Sequence, residues 1–322
     1  MMFHNESRYA GPKSRAAFTL IELLIVITII AVLTALTAGA YWKVTDSQKK
    51  SNTVMAVQKI AGALDQQWQA VIDQARTETL PQSVLDMSAV NKVPSPRRAR
   101  IIWVKLRLKQ EFPMNFDEAW APSGPGNPYL GPKPAYAAAI GPPPYTMPGP
   151  TSSPPSSAQS AVLLYLILQE HRRGMNFNVD TELSTREAGD AGPGLKQLVD
   201  AWGTPLAFIR WPWQSQDLNP HQGEGEDDYP TGGQPPAGLN DAQDPEGLLS
   251  DPNWVGSPGW SIFIQLCHPV GAKASYKLVP VVASAGRDKT WGINLTTMQT
   301  QDPSIAGDNI YNFIARLGSK GT

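Results

Sequence analysis

The sequence predicts an α+β fold: one very long N-terminal helix, transmembrane in its first half and amphipathic in its second, packed on a small antiparallel sheet with Pro/Gly-rich insertions. Three observations predict it. Residues 18–42, FTLIELLIVITIIAVLTALTAGAYW, carry a single charge, Glu22. No proline interrupts the chain behind them until Pro81. The β-branched and aromatic runs that read as strands are few, short and confined to the C-terminal part.

The first stretch sets the compartment. At about 1.5 Å per residue, a helix of that length reaches roughly 37 Å, enough to cross a hydrocarbon core of about 30 Å. A secretory signal has a shorter apolar core, of about 7–15 residues, and no carboxylate near its front. A charge inside a span costs roughly 2.5 kcal/mol or more without a partner, so Glu22 reads as functional. Arg15-Ala16-Ala17-Phe18-Thr19-Leu20-Ile21-Glu22-Leu23-Leu24-Ile25-Val26 resembles the processing and methylation segment of type IV pilins and type II secretion pseudopilins. The resemblance implies cleavage between Ala17 and Phe18 by a prepilin peptidase that also N-methylates the new terminus. It further implies that Glu22 pairs with the terminal amine of a neighbouring subunit. Ala17 departs from the glycine usual before the cut, which predicts slower processing. The expected organisation is a leader at 1–17, a transmembrane and assembly helix at 18–42, its amphipathic continuation at 43–80, and a periplasmic head at 81–322.

The continuation is drawn by Val54, Val57, Ala61, Leu64, Trp68, Val71 and Ala75, spaced alternately by three and four. Gln58, Lys59, Asp65, Gln66, Gln67, Asp73 and Gln74 face the other way. The whole helix would run to about 60 residues, roughly 90 Å. Residues 82–93 hold a short helix. Residues 97–110, RRARIIWVKLRLKQ, interleave six bases with apolar residues. They read as an amphipathic helix or, over 104–109, as a strand, with the bases on a solvated face or against lipid headgroups or a neighbouring subunit.

Residues 113–155 contain thirteen prolines and five glycines and read as loop. A buried helix follows at 158–173, capped by Ser156 or Ser157, stopped by Gly174 and too short to be a second span. His171, Arg172 and Arg173 suit its negative end. A helical turn is expected at 195–201 and strands at 206–211, 260–266 and 278–284. The insertion at 212–258 holds nine carboxylates and no Lys or Arg, and reads as solvated chain.

Composition narrows the function. A net charge of −1 gives no case for nucleic acid, and the single cysteine, Cys267, excludes an internal disulfide. His4, His171, His221 and His268 are scattered, and no nucleophile elbow, zinc-protease or phosphate-loop pattern occurs. On a strand, Cys267 and His268 would point to opposite faces. A membrane-tethered hydrolase is therefore the remote alternative to a structural subunit.

A second resemblance covers the C-terminal part. Asp200-x-Trp202-Gly203-x-Pro205-Leu206 is similar to the turn before the first strand of major pseudopilins, with Trp202 expected between sheet and long helix. Ser284-Ala285-Gly286-Arg287-Asp288 is similar to the end of their last strand. The resemblance implies a calcium ion held by Asp288 and Asp308, with Asp302 and Ser284 as helpers. Lys289, Trp291 and the long spacer to Asp308 depart from the pattern, and both aspartates are also ordinary turn formers. The function implied is a type II secretion pseudopilus subunit, polymerising with itself and other pseudopilins on an inner-membrane assembly platform. The alternative is a type IV pilus or minor pilin subunit serving adhesion, motility or DNA uptake.

Overall fold

The computed structural model describes residues 19–122, 129–142, 157–170, 177–189, 192, 194–212, 215, 218, 241–267, 279–295 and 298–313. The fold class is α+β. The chain forms two compact units, Met1–Gln48 and Lys49–Thr322. Helix α1 (Leu20–Thr77) supplies the described structure of the first unit after Thr19 and the first element of the second.

In the second unit α1 buries Val57, Ala61, Leu64, Trp68, Val71 and Ala75 of the stripe expected from spacing and adds Ile60, Ala63 and Ile72, while Val54, expected in the stripe, is only half-buried. Gln67 departs from its expected polar face: it is buried, and its Nε2 donates to Glu170 O at 2.9 Å. The helix stops short of Pro81, because the residue before a proline is pushed out of the helical region. Pro81 then precedes α2 (Gln82–Met87).

Helix α3 (Pro96–Glu111) settles the ambiguity at 97–110 in favour of helix. Ser95 caps it, accepting from Arg98 N, and Pro96 occupies a first-turn position where no N–H is needed. Apart from the exposed Arg97, its bases are not on a solvated face. Arg98, Lys105 and Lys109 are buried. Arg100 Nη1 donates to Ala75 O at 2.9 Å, satisfying a carbonyl left open at the end of α1. Arg98 Nη2 pairs with Asp251 and its Nε donates to Leu248 O; Lys105 pairs with Asp241, Arg97 with Glu246, and Arg107 with Glu78 and Glu111. Lys109 Nζ donates to Leu266 O.

The partners at 241–251 correct a second expectation. This part of the acidic insertion is docked on α3, and the rest of the insertion lies largely outside the described residues. Behind it α8 (Pro258–Cys267) replaces the strand expected at 260–266. Ser257 Oγ accepts from Trp260 N at 3.1 Å and starts the helix. Trp254 is fully buried, donates from Nε1 to Met87 O at 3.0 Å, and lies under the Arg98 guanidinium at 5.1 Å. Gly259 allows the approach: a Cβ there would lie 1.9 Å from Met87 O. Gly259→Ala is expected to cost about 1–3 kcal/mol through overpacking, read as a lower urea midpoint with unchanged slope.

The loop expected at 113–155 contains α4 (Phe116–Trp120) and α5 (Pro134–Ile140), anchored by Phe116 and Tyr136 in the core. Helix α6 (Ser157–Gln169) is buried as expected but ends at Gln169, and residues 171–176, with His171, lie outside the described residues. After α7 (Val179–Glu182), β1 (Thr185–Glu187) pairs antiparallel with β2 (Lys196–Leu198), where a helical turn was expected. The other sheet has the order β3 (Ala207–Ile209), β4 (Val281–Ser284), β5 (Ile310–Tyr311), antiparallel throughout, with Ala207 opposite Ala283 and Ser284 opposite Ile310. Alternation along β3 and β4 feeds two cores. Phe208 and Val282 join the main core with α1, α3 and α6; Ala207, Ile209, Val281 and Ala283 join Ile293, Met298 and Tyr311. Ser160 Oγ ties α6 to β3, donating to Phe208 O at 3.0 Å and accepting Phe208 N–H at 2.6 Å. Helix α9 (Pro303–Ala306) follows in the second core's loop.

Candidate functional site

The first unit is one face of chemistry repeated along a helix. From Leu20 to Val44 the large apolar side chains are exposed, Leu20 at 84 % and Trp42 at 71 %. A contiguous apolar surface of this kind requires lipid or a partner to cover it. The helix is long and apolar enough to cross a membrane by length and composition. Its polar groups are satisfied internally, as a medium without water demands: Thr28, Thr34 and Thr37 donate to the carbonyls of Leu24, Ile30 and Leu33 at 2.7, 2.8 and 2.9 Å. Tyr41 and Trp42 end the apolar run edge to face at 5.9 Å, ahead of Lys43. Amphipathic rings of this type favour a membrane–water boundary.

The lone carboxylate sits at the helix start. Glu22 Oε2 accepts the Thr19 N–H at 2.8 Å and the Thr19 hydroxyl at 2.9 Å, and Glu22 N donates to Thr19 Oγ1 at 3.3 Å. This is a capping box, a Thr-x-x-Glu in which each side chain satisfies the other's backbone N–H. Thr19 is thus the cap of α1, a role the sequence reading passed over although the Thr-x-x-Glu spacing announces it. Ala17 and Phe18 lie outside the described residues.

Residues 12–38, which contain this segment, match the prokaryotic N-terminal methylation motif. The match supports a type IV pilin-like protein. That motif belongs to structural subunits rather than enzymes, and it implies processing by a prepilin peptidase and filament assembly. Comparison with curated proteins and with solved structures returned no match.

The segment Asp200–Leu206 is built around a carboxylate. Asp200 is buried; its Oδ1 accepts from Trp202 N at 2.9 Å and Thr204 N at 2.8 Å, and its Oδ2 accepts the Ser284 hydroxyl at 2.7 Å. Gly203 takes φ +81°, a value only glycine adopts without strain. The turn meets α1 through Ala201 N, which donates to the buried Thr53 Oγ1 at 3.2 Å. Asp200 therefore joins the two C-terminal segments singled out in the sequence.

The residues expected to hold calcium are placed as follows. Asp308 Oδ2 accepts the Arg287 and Asp288 N–H groups at 2.8 and 3.2 Å. Asp288 Oδ1 accepts Thr290 N–H at 2.8 Å, and Asp302 Oδ1 caps α9 through Ser304 N at 2.9 Å. Ser284 is committed to Asp200. Among the described residues no three His, Cys, Asp or Glu side chains converge as a metal set would. One oxygen of each of these aspartates, and the Ser284 hydroxyl oxygen, already accepts a backbone hydrogen, as turn-forming side chains do.

Cys267 ends α8 and is buried; burial raises its thiol to about 11 against the opposing pull of Lys109, Arg210 and Lys105, which suits packing rather than nucleophilic chemistry. It is on a helix, so the strand argument separating it from His268 does not apply. All four histidines lie outside the described residues.

Proposed function

We propose that this chain is a structural subunit of a type II secretion pseudopilus in a bacterial inner membrane, with its head in the periplasm. The observation that carries the reading is the exposed apolar helix whose single carboxylate stands four residues behind the Ala17–Phe18 cut. Prepilin peptidase removes residues 1–17, and the helices of neighbouring subunits then pack side by side. Register follows from Glu22: any mis-stagger leaves its charge without the neighbouring amine in a low-dielectric medium. The single cysteine and the Asp200–Leu206 turn favour the secretion branch over a type IV pilus or minor pilin. Surface fibres missing from a deletion strain with intact secretion would reverse that choice. N-terminal sequencing of the mature protein is expected to begin at a methylated Phe18. A mature chain beginning beyond Trp42, or still beginning at Met1, would remove the assembly reading altogether.

A further inference from the structure

We infer that the C-terminal loop of the head, residues 285–309, is closed by the Asp308 carboxylate acting directly on backbone amides, with no cation in the closure. The turn and Asp308 are in van der Waals contact. Gly286 has φ +73°, and a Cβ on it would lie 2.4 Å from Asp308 O and 2.7 Å from Asp308 Oδ2. Next to it, the Arg287 and Asp288 N–H groups converge on that same Oδ2. Successive amides aimed at one point make an anion-binding concavity. Their hydrogens approach the carboxylate from the side of the turn and carry positive charge there, so the turn repels a cation and attracts the aspartate.

The neighbouring oxygens are used in the same way. Ser284 Oγ gives its hydrogen to Asp200 and accepts the Gly286 N–H at 3.1 Å. Asp288 holds Thr290, and Asp302 holds Ser304, each within its own turn. A second close approach, at Gly292, places a Cβ 2.5 Å from Ala306 N, so backbone contacts cross the loop at two places. A calcium ion takes about six to eight oxygens at roughly 2.3–2.6 Å. Here the carboxylates are distributed one to a turn, and each is matched to N–H donors.

The test is thermal unfolding of the full chain in detergent, in millimolar calcium chloride and in a calcium chelator, for the wild type, Asp308→Asn and Asp308→Leu. The wild-type midpoint is expected to be the same in both media. Asp308→Leu should lower it by roughly 2–8 °C, from two lost hydrogen bonds. Asp308→Asn keeps an acceptor oxygen in place and should lose less than half as much. A wild-type midpoint raised by calcium and insensitive to calcium in both variants overturns the inference, as does a leucine variant that melts with the wild type. Should the leucine variant not fold, amide exchange in the wild type decides: Arg287 and Asp288 N–H are expected to be protected in chelator. Protection that appears only on adding calcium overturns the clasp.

Discussion

Glu22→Ala is expected to insert and fold normally and to abolish filament growth and secretion. Removing the charge makes the span easier to insert, since a carboxylate near the front of a span opposes insertion. The local loss is the capping box with Thr19, and a lost cap costs about 0.5–2 kcal/mol. That is small for a helix of 58 residues whose far half is packed into the head. The effect on assembly has a different size, because every subunit added would lack the charge that sets its stagger. Glu22→Gln separates the two roles. Glutamine serves as well as glutamate in a capping box, so it preserves the Thr19 contacts and removes only the charge. If register depends on charge, Gln fails with Ala; if the cap alone matters, Gln secretes. Membrane fractionation and a secretion assay in a complemented deletion strain read both outcomes. Normal secretion by the alanine variant would sink the assembly role of Glu22.

What the sequence revealed follows the range of the forces involved. The exposed apolar stretch, the stripe on α1, buried α6 and strands β3 and β4 are local periodicities, and they could be read one segment at a time. The strand expected at 260–266 failed because Trp260, Ile262, Phe263 and Ile264 have strand-like chemistry, while the helix start signals, Ser257 and Pro258, stood just ahead of them. Strand β2 was missed because its partner β1 is three residues long and carries Thr, Arg and Glu. The largest misreading was electrostatic. A basic run and an acidic run each look solvated alone. Lys105 and Asp241 lie 136 residues apart in the chain and Arg98 and Asp251 lie 153 apart, and only the fold brings them together in a partly buried layer. Thr19 and Asp200 show the converse: both stood inside quoted motifs, yet their roles are hydrogen-bond geometries that a motif does not display.

The second large effect concerns Glu118, on a helix within the stretch read as proline-rich loop. Arg210, buried at the end of β3, binds it in a fork, Nη1 to Oε2 and Nη2 to Oε1, both at 2.8 Å. Met114 N donates to Oε2 at 2.9 Å and Lys109 Nζ stands 3.8 Å from Oε1. Burial alone would raise this carboxyl; Arg210 first, then Lys109 and the Met114 N–H, override it and hold it at about 2. A carboxyl whose folded pKa lies below its unfolded value stabilises the fold above the unfolded value and stops doing so as pH falls through the folded one. From about 4.5 down to about 2, the wild type should therefore lose on the order of 3 kcal/mol from this group. Glu118→Gln imitates the protonated acid and leaves Arg210 and Lys109 without their charge partner, a loss of about 3–5 kcal/mol at neutral pH. Other carboxylates also titrate in this range, but they do so in both proteins, so the difference isolates Glu118. Urea unfolding of the two full chains in detergent should give stabilities several kcal/mol apart above pH 5 that converge towards pH 2. A gap that stays constant across that window would mean that Arg210 is held by packing and its carbonyl contact to Phe112, and that the Glu118 charge is incidental to the fold.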